Sequence, residues 1–167
     1  MSDTADSSRP EGFRRVAAAL AAAGHAAGPR WLDVAARTSQ EAAEALGVSV
    51  GQIAKSVVFR RKQDDTAVLV VAAGDRRVDE RRVAAITGAL GRADADFVKA
   101  RTGFSIGGVS PLAHAEPLTV LIDRSLFRFS AVWAAAGHPN GVFCATPDEL
   151  VRLAAAPVAD VVQEPAP

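Results

Sequence analysis

Two stretches of this sequence hold residue types that can do chemistry: Thr102 to His114, TGFSIGGVSPLAH, and Ile53 to Phe59, IAKSVVF. The first carries Gly103, Gly107 and Gly108, then Ser110-Pro111, all between apolar residues. Glycine tolerates positive φ and has no Cβ, so paired glycines let a main-chain N–H approach a ligand closely. Proline then fixes the chain just beyond them. A loop of this kind cradles a carbonyl or a phosphate with main-chain donors. It also makes a tight structural turn, and the loop by itself favours the turn.

Lys55 changes that balance. The chain has three lysines, Lys55, Lys62 and Lys99, against sixteen arginines, so its ordinary surface cation is arginine. Lys55 lies instead inside an apolar run that reads as a strand entering a core. Burial disfavours the charged form of a lysine and makes it a functional candidate. The same alternation also points Lys55 at water with its stem along apolar surface, and the pattern does not separate the two readings.

Other chemistries find little support. His25, His114 and His138 are the only histidines, and none sits with an evident serine and carboxylate partner. Ser110 precedes a proline, without a nucleophile-elbow sequence or a nearby base. The single cysteine, Cys144, reads as a buried strand thiol, so disulfides within the chain and cysteine-based zinc sites are excluded. No His/Asp/Glu pair has ligand spacing, and no metal or cofactor is expected. A formal net charge of zero leaves RNA contact to local patches such as Arg60-Arg61-Lys62, Arg76-Arg77 and Arg81-Arg82, each beside aspartates. No apolar run approaches the ~20 residues that cross a bilayer, and no signal peptide opens the chain, so a cytoplasmic protein without a membrane partner is expected.

The 167 residues, 49% of them hydrophobic, fit one domain with a sizeable core. Residues 1–10 read as a disordered tail, 11–162 as the domain and 163–167 as a second tail. Ser8 and Glu11 have the spacing of a capping box opening a helix to about Gly24, with Phe13, Val16 and Leu20 on its buried face. Arg30 to Ala36 reads as a short strand. Thr38 and Glu41 open a second helix, stopped by Gly47. Residues 56–61 and 67–73 read as strands of a hairpin, turning at Gln63-Asp64-Asp65. Helices are expected over 79–87 and 94–100, and strands over 118–122, 130–135, 142–145 and 158–162. Gly137 to Gly141 is a turn, and Thr146-Pro147-Asp148-Glu149 caps a closing helix. Paired strands with irregularly interspersed helices define an α+β fold.

The order of a TxxE helix, GQIAKSVVF, a helix-rich middle, TGFSIGGVSP, an apolar strand ending in Asp123, a Gly137 turn and a TPDEL helix resembles the YbaK/ProX family of aminoacyl-tRNA editing proteins. The likeness runs from about Phe13 to Asp160. It implies a mixed, barrel-like sheet surrounded by helices, related to the editing domain of prolyl-tRNA synthetases, and hydrolysis of mischarged tRNA. Lys55 falls on the family's functional lysine, and Gly107 and Pro111 on its G-x-x-x-P loop. This chain has Ala113 where relatives often carry glycine, and Ser56 where many place asparagine.

A synthetase pocket separates amino acids differing by a methylene by only about 1–3 kcal/mol, so small amino acids call for a second, hydrolytic sieve. The expected mechanism sets the ester carbonyl against main-chain N–H groups of Gly107 and Gly108. Lys55 binds the terminal phosphate or orients the ester. The resemblance implies that the substrate's own ribose hydroxyl activates the water. Ile53, Phe104, Ile106 and Val109 are the expected pocket walls, and Ser56, Ser110 and Pro111 join them as substrate contacts. His138, after Gly137, contacts the aminoacyl group or a phosphate, or is an exposed turn histidine. Asp123 orients Lys55 or a loop amide, or caps a turn. The expected partners are the acceptor end of a charged tRNA, of tRNA-Pro or a related species, and prolyl-tRNA synthetase, with the protein a monomer or weak homodimer. The competing reading is a non-catalytic module that holds an aminoacyl or nucleotide group within a synthetase complex.

Overall fold

The computed structural model describes residues 8–165, so most of the expected N-terminal tail lies outside the described residues. Helix α1 spans Glu11–Ala22 and buries Phe13, Val16, Ala17 and Leu20 along one face. Its N-cap is Pro10, with no side-chain cap hydrogen bond, so the Ser8/Glu11 capping box expected from spacing does not form. Proline supplies the extended φ and ψ of a cap position, which moves the helix start beyond Ser8. Strand β1 is only Arg30–Trp31, shorter than the Arg30–Ala36 expected. Helix α2, Ser39–Leu46, opens with the Thr38/Glu41 capping box and closes on Gly47 at φ 70°.

Strands β2 (Ile53–Arg61) and β3 (Thr66–Ala73) form an antiparallel hairpin in unbroken register, Ala54 opposite Ala73 through Arg61 opposite Thr66. Helix α3 is Glu80–Thr87 with Asp79 as N-cap, β4 is Leu90–Arg92, and α4 is Ala95–Thr102 capped by Asp94. Strand β5 (Thr119–Asp123) runs parallel to β3. Strands β6 (Val132–Ala135) and β7 (Gly141–Ala145) form a second hairpin. Helix α5, Pro147–Ala154, carries the Thr146/Glu149 capping box with proline in its first turn, and β8 (Val158–Ala159) closes the sheet edge. The β4 strand has no counterpart among the sequence expectations: a three-residue segment centred on glycine carries no period that pattern reading detects.

The fold is α+β with one mixed sheet in the order β1-β7-β6-β2-β3-β5-β8 and β4 paired to β2. Every residue of β3 from Ala67 to Ala73 is buried. One face of the sheet packs Leu69, Val71 and Ala73 against Phe13, Leu20, Val98 and Leu150 from the helices. The other packs Val68 and Val70 against Val83 of α3. Helix α2 closes the end of this second face, with Ala42 and Ala43 on Ile53 and Trp133.

One feature of the pairing positions the site. The outer edge of β2 is shared: β6 pairs in parallel at Ile53 and Ala54, and β4 pairs antiparallel at Phe59 to Arg61. Between them, from Lys55 to Val58, no strand among the described residues covers that edge.

Candidate active site

A cavity of about 370 Å³ opens at this gap. Its floor is β2 from Ile53 to Val58, and its walls come from the N-terminal turn of α2, the Ile106–Val109 loop and the β6–β7 hairpin. Lysine, arginine and hydroxyl groups line it, but among the described residues no Asp, Glu, His or Cys does.

Lys55 lies in the floor, half-buried, and its ε-ammonium makes no hydrogen bond or ion pair among the described residues. Desolvation lowers its pKa from 10.5, and the negative charge of Asp75 opposes that shift. Asp75 is in turn held by Arg128, whose two terminal nitrogens lie 2.7 and 3.1 Å from its oxygens, and by Arg76 at 3.2 Å. The Arg128 hydrogen bonds are the main reason that its carboxyl stays below the ordinary range. An arginine-anchored carboxylate thus biases an otherwise unpaired, desolvated lysine toward its charged form. Asp75 and Arg128 were not legible as site residues, although the hairpin register offered a clue, since extending the Ala54–Ala73 pairing sets Asp75 beside the start of β2. Arg37, at the rim, belongs to the turn that begins α2 and also lines the cavity.

The structure divides the expected contacts into two groups. Ile53, Ser56, Ile106, Gly107 and Val109 line the cavity with Lys55. Ile53 and Val109 are buried, whereas Ile106 stands at the mouth, 57% exposed. Gly107 has φ 95°, the region that favours glycine, and is exposed to the opening.

The others lie elsewhere. Gly108 is buried outside this cavity and its N–H donates to the Ser105 carbonyl at 3.0 Å, so it closes the turn and has no free donor for an ester. Phe104 does not line the Lys55 cavity: it is 1% exposed in the main core, with the Arg15 guanidinium 4.3 Å above its ring. Ser110 is fully buried; its Oγ accepts the Leu112 N–H and its carbonyl accepts from His114 Nε2 at 2.7 Å. Pro111 is buried beside it. Asp123 accepts the N–H groups of Ser125 and Val161, each at 2.8 Å, so it caps a turn and ties down the C-terminal segment without reaching Lys55. Gly137 and His138 line a smaller cavity of about 210 Å³ on the other side of the glycine loop. His138 stacks on Trp31 at 4.9 Å, and its Nδ1 accepts the Asn140 N–H. Burial holds its pKa below the usual value.

The arginine clusters are partly neutralised. Arg60 pairs with Asp65 at 3.1 Å, Arg61 with Asp64 at 2.7 Å, and Arg82 with Glu164 at 3.0 Å. Among the described residues no group of three His, Cys, Asp or Glu side chains converges as a metal site, and no helix is long and apolar enough to cross a membrane.

An unpaired lysine in the floor of a cavity that, among the described residues, no Asp, Glu, His or Cys lines, set beneath a glycine loop at a split in a mixed sheet, defines an α+β domain whose cavity offers cations, hydroxyls and main chain as polar contacts. Residues 33–153 match the aminoacyl-tRNA editing domain, and the chain belongs to that family. It is 39% identical over 119 residues to the uncharacterized protein YwhH of Bacillus subtilis (strain 168), covering 71% of this chain and 75% of that one. A proline–tRNA ligase of Limosilactobacillus fermentum is 34% identical over 96 residues, which span 54% of this chain but only 17% of the ligase. A solved structure provisionally assigned as a trans-editing enzyme for prolyl tRNA synthetase superposes with a TM-score of 0.86 at 39% identity, covering 93% of this chain and 99% of that one. Family and fold together support a deacylase role.

Proposed function

We propose that the protein is a trans-editing hydrolase that removes a small amino acid from mischarged tRNA, tRNA-Pro or a related species. The observation that carries this reading is Lys55: among the described residues, an unpaired ammonium in a cavity floor that no Asp, Glu, His or Cys lines. An aminoacyl ester is already activated, so positioning and charge stabilisation suffice. Lys55 holds the terminal phosphate or orients the ester, and the Gly107 N–H faces the carbonyl oxygen as it becomes an oxyanion. Water adds to the carbonyl carbon as its proton passes to the free ribose hydroxyl, which relays its own proton toward the neighbouring esterified oxygen. The bond from that carbon to the esterified ribose oxygen then breaks, the oxygen takes up a proton, and free amino acid and intact tRNA leave.

The walls support the size and polarity of the substrate. Ile53, Val109, Val142 and Ala36 are aliphatic, and among the described residues no side-chain amide or carboxylate lines the cavity. The test is release of free amino acid from a panel of mischarged tRNAs, with and without prolyl-tRNA synthetase. Hydrolysis of a small aminoacyl ester by the protein, lost in Lys55→Ala, is the expected result; binding without release from any tRNA in the panel would leave a non-catalytic module instead.

A further inference from the structure

The split edge of β2 has a chemical consequence for the aminoacyl group itself. Lys62 N–H donates to Ala89 on the β4 side, whereas the Ile53 carbonyl accepts from Gly74 on the β3 side. Main-chain groups alternate in direction along a strand, so even-numbered residues of β2 face the outer edge. Ala54 faces β6 and Arg60 faces β4, and Ser56 lies between them with no strand opposite. Its N–H and C=O therefore point into the cavity that Ser56 lines. Its Oγ is buried and has no hydrogen-bond partner among the described residues. Such unpaired groups are costly in a folded protein, and their concentration on one residue inside a cavity calls for a ligand that satisfies them.

The α-ammonium of an aminoacyl ester needs acceptors, and among the described residues the side chains of the cavity supply no carboxylate; the charged ones that line it, Lys55 and Arg37, carry the same sign. We propose that Ser56 is the recognition residue for the free α-amino group, its main-chain carbonyl and Oγ accepting from the ammonium at the uncovered edge of β2. Neighbouring residues of a strand point their side chains to opposite faces, so an ammonium held at Ser56 Oγ is separated by the strand from the Lys55 ammonium. The inference rests on the editing reading and deepens it: the site demands an ester with an unblocked amino group, and turns away N-acylated and peptidyl esters of the same amino acid.

The experiment compares free-amino, α-hydroxy and N-acetyl forms of alanyl, seryl and cysteinyl esters on one tRNA-Pro, each rate divided by its own uncatalysed hydrolysis. The α-hydroxy form removes the charge without adding bulk, which separates recognition from steric exclusion. A hydrogen bond to a charged group predicts at least about a tenfold preference for the free-amino form over both analogues. Ser56→Ala, which keeps the main-chain acceptor, should narrow that preference a few-fold while leaving the thermal midpoint in place. If either analogue is hydrolysed as well as the free-amino ester, the inference is overturned. If Ser56→Ala leaves the preference unchanged, the hydroxyl is removed from the assignment. Hydrolysis of no free-amino ester overturns the editing reading, and this inference with it.

Discussion

Gly108 lies so close to the main chain of His138 that a Cβ on it would come within 2.7 Å of the His138 Cα and 2.8 Å of its nitrogen. The glycine loop and the β6–β7 turn are therefore packed backbone to backbone. At the adjacent Gly107 a Cβ would meet only Pro139 Cγ at 3.7 Å, an ordinary contact, although φ 95° still strains any other residue.

The two glycines consequently predict different failures. Gly108→Ala must displace the His138 backbone, an overpacking that costs about 1–3 kcal/mol. For a chain of this size that lowers the thermal midpoint by roughly 2–12 °C. Gly107→Ala pays a smaller strain penalty but sets a methyl at the cavity wall, and its main loss should be in deacylation rate. Calorimetry beside single-turnover deacylation of both variants checks the pair. An unchanged midpoint in Gly108→Ala would show that the His138 turn yields freely.

Lys55 should matter to activity and not to stability. Its folded-state pKa is lowered from 10.5, so the folded protein binds fewer protons than the unfolded chain between that lowered value and 10.5. Stability contributed by this group accordingly rises with pH across that window, and the desolvation penalty is fully present below it. Lys55→Met should leave the midpoint at neutral pH equal to or above that of the parent, with the difference closing toward pH 10.5, while deacylation is lost. Lys55→Arg should also fail, because a planar fork does not replace a compact ammonium. A destabilised Lys55→Met protein at neutral pH would contradict the unpaired ammonium seen in the structure.

The strongest local signals in the sequence led to the right elements. The Thr38/Glu41 and Thr146/Glu149 boxes form as spacing requires, and the Gln63–Asp65 turn joins the hairpin that carries Lys55. Ile53, Lys55 and Ser56 on that hairpin all line the cavity, but alternation alone left Lys55 open between pocket and water, and only the pairing of the β2 edge places the cavity there. What pattern reading could not reach depends on long-range pairing. The gap between β6 and β4 arises from two strands distant in sequence choosing different halves of one edge. The Arg128–Asp75 pair joins residues 53 positions apart. Phe104, Ser110 and Asp123 carry side chains suited to a site, but tertiary packing consumes each of them in the core or in a cap.

Ala113 offers a test of strain. It sits at φ 65°, in the left-handed region, and its carbonyl accepts the Arg15 Nε at 2.9 Å. The left-handed conformation costs a non-glycine residue about 1–2 kcal/mol, part of which glycine returns through its more flexible unfolded state. Ala113→Gly should therefore stabilise the protein by about 0.5–1 kcal/mol, roughly 1–4 °C in midpoint, with the deacylation rate unchanged. Thermal unfolding of this single variant decides it, and a fall in midpoint would mean that the Ala113 methyl packs better than its backbone is strained.

The last prediction uses the Arg128–Asp75 pair to move the Lys55 proton from a distance. Asp75 raises the pKa of Lys55 by its charge, and Arg128 partly shields that charge while holding the carboxylate in place. If the ammonium is the active form, the high-pH limb of the deacylation profile reports its loss. Asp75→Asn removes the stabilising charge, so that limb should shift to lower pH. Arg128→Met leaves a less neutralised carboxylate near the lysine, so the limb should shift to higher pH or stay in place, never lower. The opposite signs separate an electrostatic effect from general damage to the loop, which would depress both variants alike. Rates corrected for spontaneous ester hydrolysis, measured from about pH 7 to 9.5, give the comparison. A shift in the same downward direction for both variants would sink the coupling. The Asp75 carboxyl also carries its own signature at the acid end. Its pKa is held below 3.8, so its pairing stabilises the fold above that value and is lost as pH falls through the lowered one. Asp75→Asn should accordingly narrow its stability deficit relative to the parent in acid, where the parent has lost the same charge.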